Sequence, residues 1–359
     1  MSGRLRSYYL EINPSKAARP DQIPCRILKE LSKVLAPMLT IIYRQSLDAG
    51  KLPKQWLHAN VTPVFKKGTT CLAENYRPVS LTCVACKIME HIICTHVRGH
   101  LDRHGILSRV QHGFRSMYSC ETQLVTTLQD LFTIRDKGIQ VDITILDFSK
   151  AFDKVPHKRL IHKLHHYGIQ GPICHWIESF LCGRTQRVMV EGEFSSQADV
   201  TSGVPQGTVL GPLLFLLFIN DLPSVIAPDT RCRLFADDCL VYREIRSLQD
   251  QLQLQKDLDH LEQWSKQWGM AFNAKKCSVM TISRSQPLTK MYQLNNTILA
   301  QVDCCTYLGI TISNQLSWTE QATACAKKAN ARLGFLRRNL KGCPNDSPND
   351  SDACPTSPW

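Results

Sequence analysis

Apolar and polar positions alternate along the chain in patterns that separate helical from strand-like stretches. In IPCRILKELSKVLAPMLTIIYRQSLDAGKLP, Ile27, Leu28, Leu31, Val34 and Leu35 fall on one face of a predicted helix, which Gly50 and Pro53 stop. HANVTPVFKKGTT predicts a short strand leading into a basic loop, and DITILDFSKAF a strand of branched residues ending at Asp147. Two amphipathic helices, HKRLIHKLHHYG and PICHWIESFLCG, each close on a glycine. RVMVEGEF reads as a hairpin turning at Glu191 and Gly192, and TSGVPQGTVLGP as a Gly/Pro-punctuated loop that opens a buried helix. CRLFADDCLVY has strand composition on both sides of a paired acid. Leu254, Leu258, Leu261 and Trp268 mark a long helix, and KCSVMTIS and YLGITIS two further strands. Ser317 and Glu320, in capping-box spacing, begin a last helix that runs to Leu340. Helices packed on an antiparallel sheet predict an α+β fold.

At 359 residues, with 43% apolar residues, the chain is long enough for two or three packed subdomains. Its formal net charge of +12 suggests a polyanionic partner, nucleic acid or an anionic membrane surface, without choosing between them. The opening MSGRLRSYYLEINPSK has no apolar core of signal-peptide length, so the expected site of action is intracellular, nucleus or cytoplasm, and not secreted. The longest apolar run, VLGPLLFLLFI at 209–219, is too short to span a bilayer and carries Gly211 and Pro212, so it reads as core and no membrane association is expected. Sixteen cysteines scattered through predicted helices and strands favour reduced thiols. Cys83, Cys86, His91 and His96 approach a zinc-knuckle spacing, yet Ile88, Ile92 and Ile93 give the same stretch the look of an apolar helix, which is the favoured reading. After Gly342 the composition breaks: CPNDSPNDSDACPTSPW repeats PNDS in tandem and predicts a disordered tail over 343–359.

Asp237 and Asp238 stand inside an apolar run, where unpaired carboxylates are costly. Adjacent residues of a regular strand point to opposite faces, so the two can serve one site only if the chain turns there, at a hairpin tip. Asp147, at the end of ITILD, is the natural third acid. Three carboxylates on neighbouring strand ends suit Mg²⁺, which takes oxygen ligands, keeps some waters and shares substrate phosphates. Two such ions would serve an in-line phosphoryl displacement, the chemistry of polymerases and nucleases.

ILDFSKAFDKVPH, GVPQGTVLGPLLFLLFINDL, FADD and YLGI, in this order, resemble the reverse transcriptases of non-LTR (LINE-type) retrotransposons. LPKQWLHANVTPVFKKG, NYRPVSLTCVACKIMEHII and QHGFRSMYSCETQL resemble the same family's fingers, and the likeness covers about residues 14–342. It implies a right-hand polymerase fold: a lead-in over 1–13, fingers over 14–140, a palm with some finger insertions over 141–312, and the start of a truncated thumb over 313–342. The implied activity is RNA-directed DNA polymerisation, with an RNA template, a DNA primer and deoxynucleoside triphosphates as partners, two Mg²⁺ ions as cofactor with Mn²⁺ as the alternative, and no defined protein partner.

Carried over residue by residue, the resemblance implies that Asp147, Asp237 and Asp238 form the catalytic metal-binding triad, with the carbonyl of Phe148 as a further ligand. Phe152 matches the aromatic gate that excludes a 2′-hydroxyl, against a plain core role. Gln206 in GVPQG would contact nucleotide and template, against a turn role, while the flanking glycines permit close backbone approach. Lys66, Arg77 and Arg115 match basic positions facing triphosphate or template, against solvated surface charge. Lys276 matches a lysine that neutralises or protonates the leaving pyrophosphate, with Lys275 an equal contender. Tyr307, Leu308 and Gly309 match the primer grip, against an ordinary strand and tight turn. Asp153, just before KVPHKRL, is read as a helix cap.

The chain departs from the pattern in ARPDQIP, where Arg19 and Gln22 occupy expected glycine positions; a loop that needs φ > 0 there would be strained. The tail reads as a shifted frame. No endonuclease stretch precedes the palm and no knuckle follows the thumb, as in a piece of a mobile element begun at an internal methionine. The competing readings are an inactive relic that binds RNA or RNA–DNA hybrid and, sharing the same palm, a group II intron maturase or telomerase-like enzyme.

Overall fold

The computed structural model describes residues 2–15 and 19–340. The predicted tail over 343–359 lies outside the described residues. From the amino end come α1 (Ser2–Leu10), α2 (Cys25–Glu30) and α3 (Ser32–Asp48), then β1 (His58–Phe65), β2 (Tyr76–Leu81), α4 (Val84–Arg103), α5 (Cys120–Asp136) and β3 (Gln140–Leu146). Next are α6 (His157–His166), α7 (Gly171–Leu181), β4 (Thr185–Val190), β5 (Glu193–Phe194), β6 (Ala198–Asp199), α8 (Leu210–Ile219), β7 (Thr230–Phe235), β8 (Asp238–Ile245) and α9 (Leu248–Trp268). The described chain ends with β9 (Ser278–Ile282), β10 (Gln293–Leu294), β11 (Thr297–Ile298), β12 (Ala300–Gln301), β13 (Cys304–Tyr307), β14 (Ile310–Ser313) and α10 (Thr319–Asn339). The mixture is α+β, as the alternation of periods predicts.

Two compact units divide between Asp303 and Cys304. The larger unit is organised by a five-stranded sheet of order β12-β9-β3-β8-β7, antiparallel except for the parallel β12–β9 pair. At its centre Val141, Asp142, Ile143 and Thr144 of β3 are all buried, so both sheet faces are covered, and α5 and α9 pack against the sheet. Asp142, buried among apolar strands, is satisfied by Gln140, Thr281 and Tyr292. The apolar run at 209–219 forms α8, buried along its length. Leu254, Leu258 and Leu261 set the buried face of α9, which Gly269 at φ +73° ends. A second sheet, β2-β1-β4-β5 with β6 on β4, joins the β1–β2 hairpin to the expected turn at Glu191 and Gly192. The β1–β4 pair in it is parallel.

Three sequence expectations need correction. The helix expected from Ile27 onward breaks at Leu31, and its inward face is only partly the expected one. Leu28 is buried and Leu35 partly so, but Ile27, Leu31 and Val34 are exposed, and along α3 the buried residues are Ser32, Ala36, Thr40, Tyr43 and Ser46. Mostly small side chains let α3 pack on α1 and α7, and hydrogen bonds from Tyr43 to Ala85 O and from Trp176 to Ser46 satisfy its polar atoms. The last helix starts at Thr319 without the Ser317–Glu320 box; Trp318 is its N-cap, and Ser317 Oγ instead accepts the N–H of Thr319. Asp153 is no helix cap, since Pro156 fills that position at α6 and Asp153 Oδ1 accepts Gln206 Nε2 at 3.1 Å.

The Cys83–His96 stretch is helical: Cys83 caps α4, its sulfur accepting the N–H of Cys86. Gln22 does sit at φ +57°, a conformation that favours glycine, whereas Arg19 is not among the positive-φ residues. Among the described residues, the cysteines form no disulfide. Among these residues no helix is long and apolar enough to cross a membrane. In the smaller unit, β13 and β14 pair antiparallel with Tyr307 opposite Ile310, Leu308 and Gly309 form the turn at φ +47° and +84°, and α10 follows.

Candidate active site

The paired acids lie at a hairpin tip. β7 and β8 pair up to Phe235 opposite Asp238, leaving Ala236 and Asp237 as a two-residue turn. On its other side β8 pairs with β3 as far as Leu146 opposite Cys239, so Asp147 leaves β3 one residue further on, level with Asp238. Register alone therefore brings three acids separated by about ninety positions to adjacent strand ends.

The backbone of Asp147 is tied to the loop before β9: its C=O accepts the N–H of Asn273 at 2.7 Å and its N–H donates to Cys277 Sγ at 3.3 Å. Ser149 N–H donates to Ala271 O in the same ladder, which leaves Phe148 and Phe272 as a pair without mutual hydrogen bonds. In such a pair the Phe148 carbonyl points away from the 271–273 segment.

The three carboxylates feel one another. Burial raises the Asp238 carboxyl to about 6, and the charges of Asp237 and Asp147 add to the shift, although the residue keeps contact with solvent. Asp237 is raised by burial and by Asp147, against the lowering charges of Arg77 and Lys66. Asp147 Oδ2 is buried without a hydrogen-bond partner; the nearest cation is Lys276 Nζ at 3.7 Å. Hard oxygen donors with raised proton affinity and an orphaned carboxylate oxygen are the right chemistry for a divalent cation. Among the described residues no three His, Cys, Asp or Glu side chains are close enough together to hold a metal ion by themselves.

Lys66 and Arg77 stand at the loop end of the β1–β2 hairpin, where Val64 pairs with Arg77 and Lys66 N–H donates to Asn75 O. Their positive charges favour the ionised form of Asp237, against the effect of its burial. Phe152 is half-buried, stacked on Phe215 at 4.4 Å between centroids, with Phe114 edge-on at 6.3 Å.

The Gln206 loop is stitched to two neighbours. Ser80 N–H donates to Gln206 O, Val204 N–H to Phe152 O, and Gly203 N–H to Val155 O. At Gly203, φ is +89° and a Cβ would lie 2.7 Å from Asp153 O; at Gly207 it would lie 2.9 Å from Val79. The glycines of GVPQG thus serve close backbone approach, and Gln206 is held by Asp153. Arg115 is engaged elsewhere: its guanidinium donates to Ser108 O and Gln111 O and covers the Tyr118 ring.

Sequence reasoning missed the segment 110–113, which runs parallel to β7: His112 N–H donates to Leu234 O and Leu234 N–H to Val110 O. It carries no hydrophobic period, and only the close spacing of Gln111 and Gly113 hinted at a special backbone. It also missed Glu90, buried, whose carboxylate accepts the N–H groups of Val209 and Leu210 at the start of α8.

Residues 64–312 match the family described as reverse transcriptase (RNA-dependent DNA polymerase). The chain is 30% identical over 316 residues to the RNA-directed DNA polymerase from mobile element jockey of Drosophila melanogaster, covering 86% of this chain and 34% of that protein. It is 30% identical over 327 residues to the probable RNA-directed DNA polymerase from transposon BS of the same fly, covering 88% and 36%. The Pol polyprotein of its type-2 retrotransposable element R2DM is 27% identical over 292 residues, covering 78% and 26%. The chain thus spans about a third of the length of the relatives it matches most fully.

Proposed function

The chain belongs to the reverse transcriptase (RNA-dependent DNA polymerase) family, and from that premise we propose that it is the polymerase portion of a non-LTR retrotransposon, extending a DNA primer on an RNA template. The observation that carries the proposal is the meeting of Asp147 with the Asp237–Asp238 corner at the ends of paired strands. In this reading Asp147, Asp237, Asp238 and the Phe148 carbonyl hold the metal. Polymerases of the family generally use divalent ions, and a pair of Mg²⁺, or Mn²⁺, would supply activation of the primer 3′-hydroxyl and neutralisation of charge on the α-phosphate.

The protein's own groups do the rest. Lys66 and Arg77 bind the triphosphate as point charge and fork. Phe152, kept rigid by Phe215, lies under the sugar and leaves no room for a 2′-hydroxyl. Gln206, oriented by Asp153, meets the nucleotide and template. Lys276 turns from Asp147 toward the departing pyrophosphate and offers it a proton. Arg115, spent on its own loop, shapes the wall instead of binding phosphate. The Tyr307–Gly309 turn bears on the primer. The larger unit supplies fingers (14–140) and most of the palm, and α10 begins the thumb.

Primer extension on poly(rA)/oligo(dT) tests this. Incorporation by the wild type that Asp237→Ala abolishes is the expected result. Incorporation that survives Asp237→Ala overturns the assignment of the acids, and hybrid binding without incorporation by the wild type makes the chain a binding relic instead.

A further inference from the structure

We propose that Gln111 is a positioning residue for the acids, its carboxamide clamping Ala236 in the conformation that turns Asp237 and Asp238 toward one site. The inference rests on the polymerase reading of those acids, and its structural half is testable without it.

Ala236 has φ +53°, in the left-handed region where a Cβ is unwelcome and two-residue hairpins normally place Gly, Asn or Asp. Such a residue persists only when its surroundings over-determine it. Gln111, 2% exposed, does so from two sides. Its Oε1 accepts the N–H of Ala236 at 2.9 Å, and its Nε2 donates to the C=O of Ala236 at 3.3 Å. The N–H belongs to the peptide plane before Ala236 and the C=O to the plane after it. One planar amide that holds both therefore fixes the two torsions between them.

The clamp is itself fixed. Gln111 Oε1 also accepts the N–H of Gly113 at 2.8 Å, and the 110–112 backbone is bonded to Leu234 of β7. Gly113 is the residue that allows this approach: a Cβ there would lie 2.3 Å from the Ala236 nitrogen and 3.0 Å from Gln111 Oε1. The reason for glycine is space, since Gly113 is not among the positive-φ residues. Without the carboxamide, a buried N–H and C=O at the tip lose their partners and the alanine is free to leave its strained conformation. That swings Asp237 away from Asp147.

The test compares wild type, Gln111→Met and the double variant Gln111→Met with Ala236→Gly, by hydrogen exchange across residues 235–237, thermal melting and primer extension. Gln111→Met should speed exchange of the Ala236 N–H at least tenfold and lower kcat at least tenfold, with little change in the nucleotide KM. Adding Ala236→Gly should recover most of kcat, because glycine adopts the turn unaided, while the N–H stays fast. A general loss of packing would not be cured by a glycine. Unchanged exchange at Ala236, or no recovery of kcat in the double variant, overturns the proposal. Should Gln111→Met not fold, Gln111→Glu keeps the acceptor and loses the donor: a fall in kcat recovered by Ala236→Gly supports the clamp, and full wild-type kcat overturns it. Should the wild type incorporate nothing, the polymerase reading fails, and the exchange comparison still decides whether the clamp exists.

Discussion

At the Asp238 carboxyl, burial and two neighbouring acids hold the pKa near 6, above its ordinary 3.8. A group that binds its proton more tightly when folded contributes stability that is present below about pH 4 and lost as pH rises through about 6. At neutral pH the ionised Asp238 carboxylate therefore disfavours the fold. Asp238→Asn should raise the melting temperature at pH 8, gain almost nothing at pH 4, and abolish incorporation; thermal melts across that range check it. Phe152 allows a second prediction at this scale. It is pinned between Phe215 and Phe114, so it acts as a fixed wall. Phe152→Val should cut the preference for deoxy- over ribonucleotides by about tenfold or more, the range for a pocket losing a few carbons, as measured by the ratio of kcat/KM values.

Among the elements, α3 separates the face that looks apolar from the face that packs. Exposed Val34 and buried Tyr43 lie on the same helix. Val34→Ser should change stability by no more than about 0.5 kcal/mol, as exposed substitutions do. Tyr43→Ala, which removes a buried ring and its bond to Ala85 O, should cost about 3 kcal/mol or more in denaturant unfolding. Other elements were legible in advance because each carries its own punctuation: the β7–β8 hairpin has apolar arms around a polar tip, and α9 has a leucine stripe closed by Gly269. The boundaries of α3 and α10 were not. The packing face of α3 is built of Ser, Ala and Thr around a single Tyr43, which no hydrophobic period reports, and Ser317 found a nearer N–H than the one that box spacing assigns it.

For the whole molecule, a formal charge of +12 should make binding to an RNA–DNA hybrid strongly salt-dependent. A channel that neutralises about six phosphates loses about a thousandfold in affinity between roughly 50 and 200 mM salt, and titrations by fluorescence anisotropy should show that slope. A flat response would mean that the excess charge lies away from the nucleic acid. The sequence by itself determined the family, the α+β class and the hairpin whose tip carries Asp237 and Asp238, and it singled out Asp147 as their neighbour, because motif order and local period survive without any knowledge of packing. Only the tertiary structure decided which face of α3 is inside, that Asp153 holds Gln206, that Arg115 serves its own loop, and that Gln111 grips the turn. Those facts depend on the partner each polar group finds across more than forty residues of chain or within a loop of no regular period, and a linear pattern carries no record of that choice.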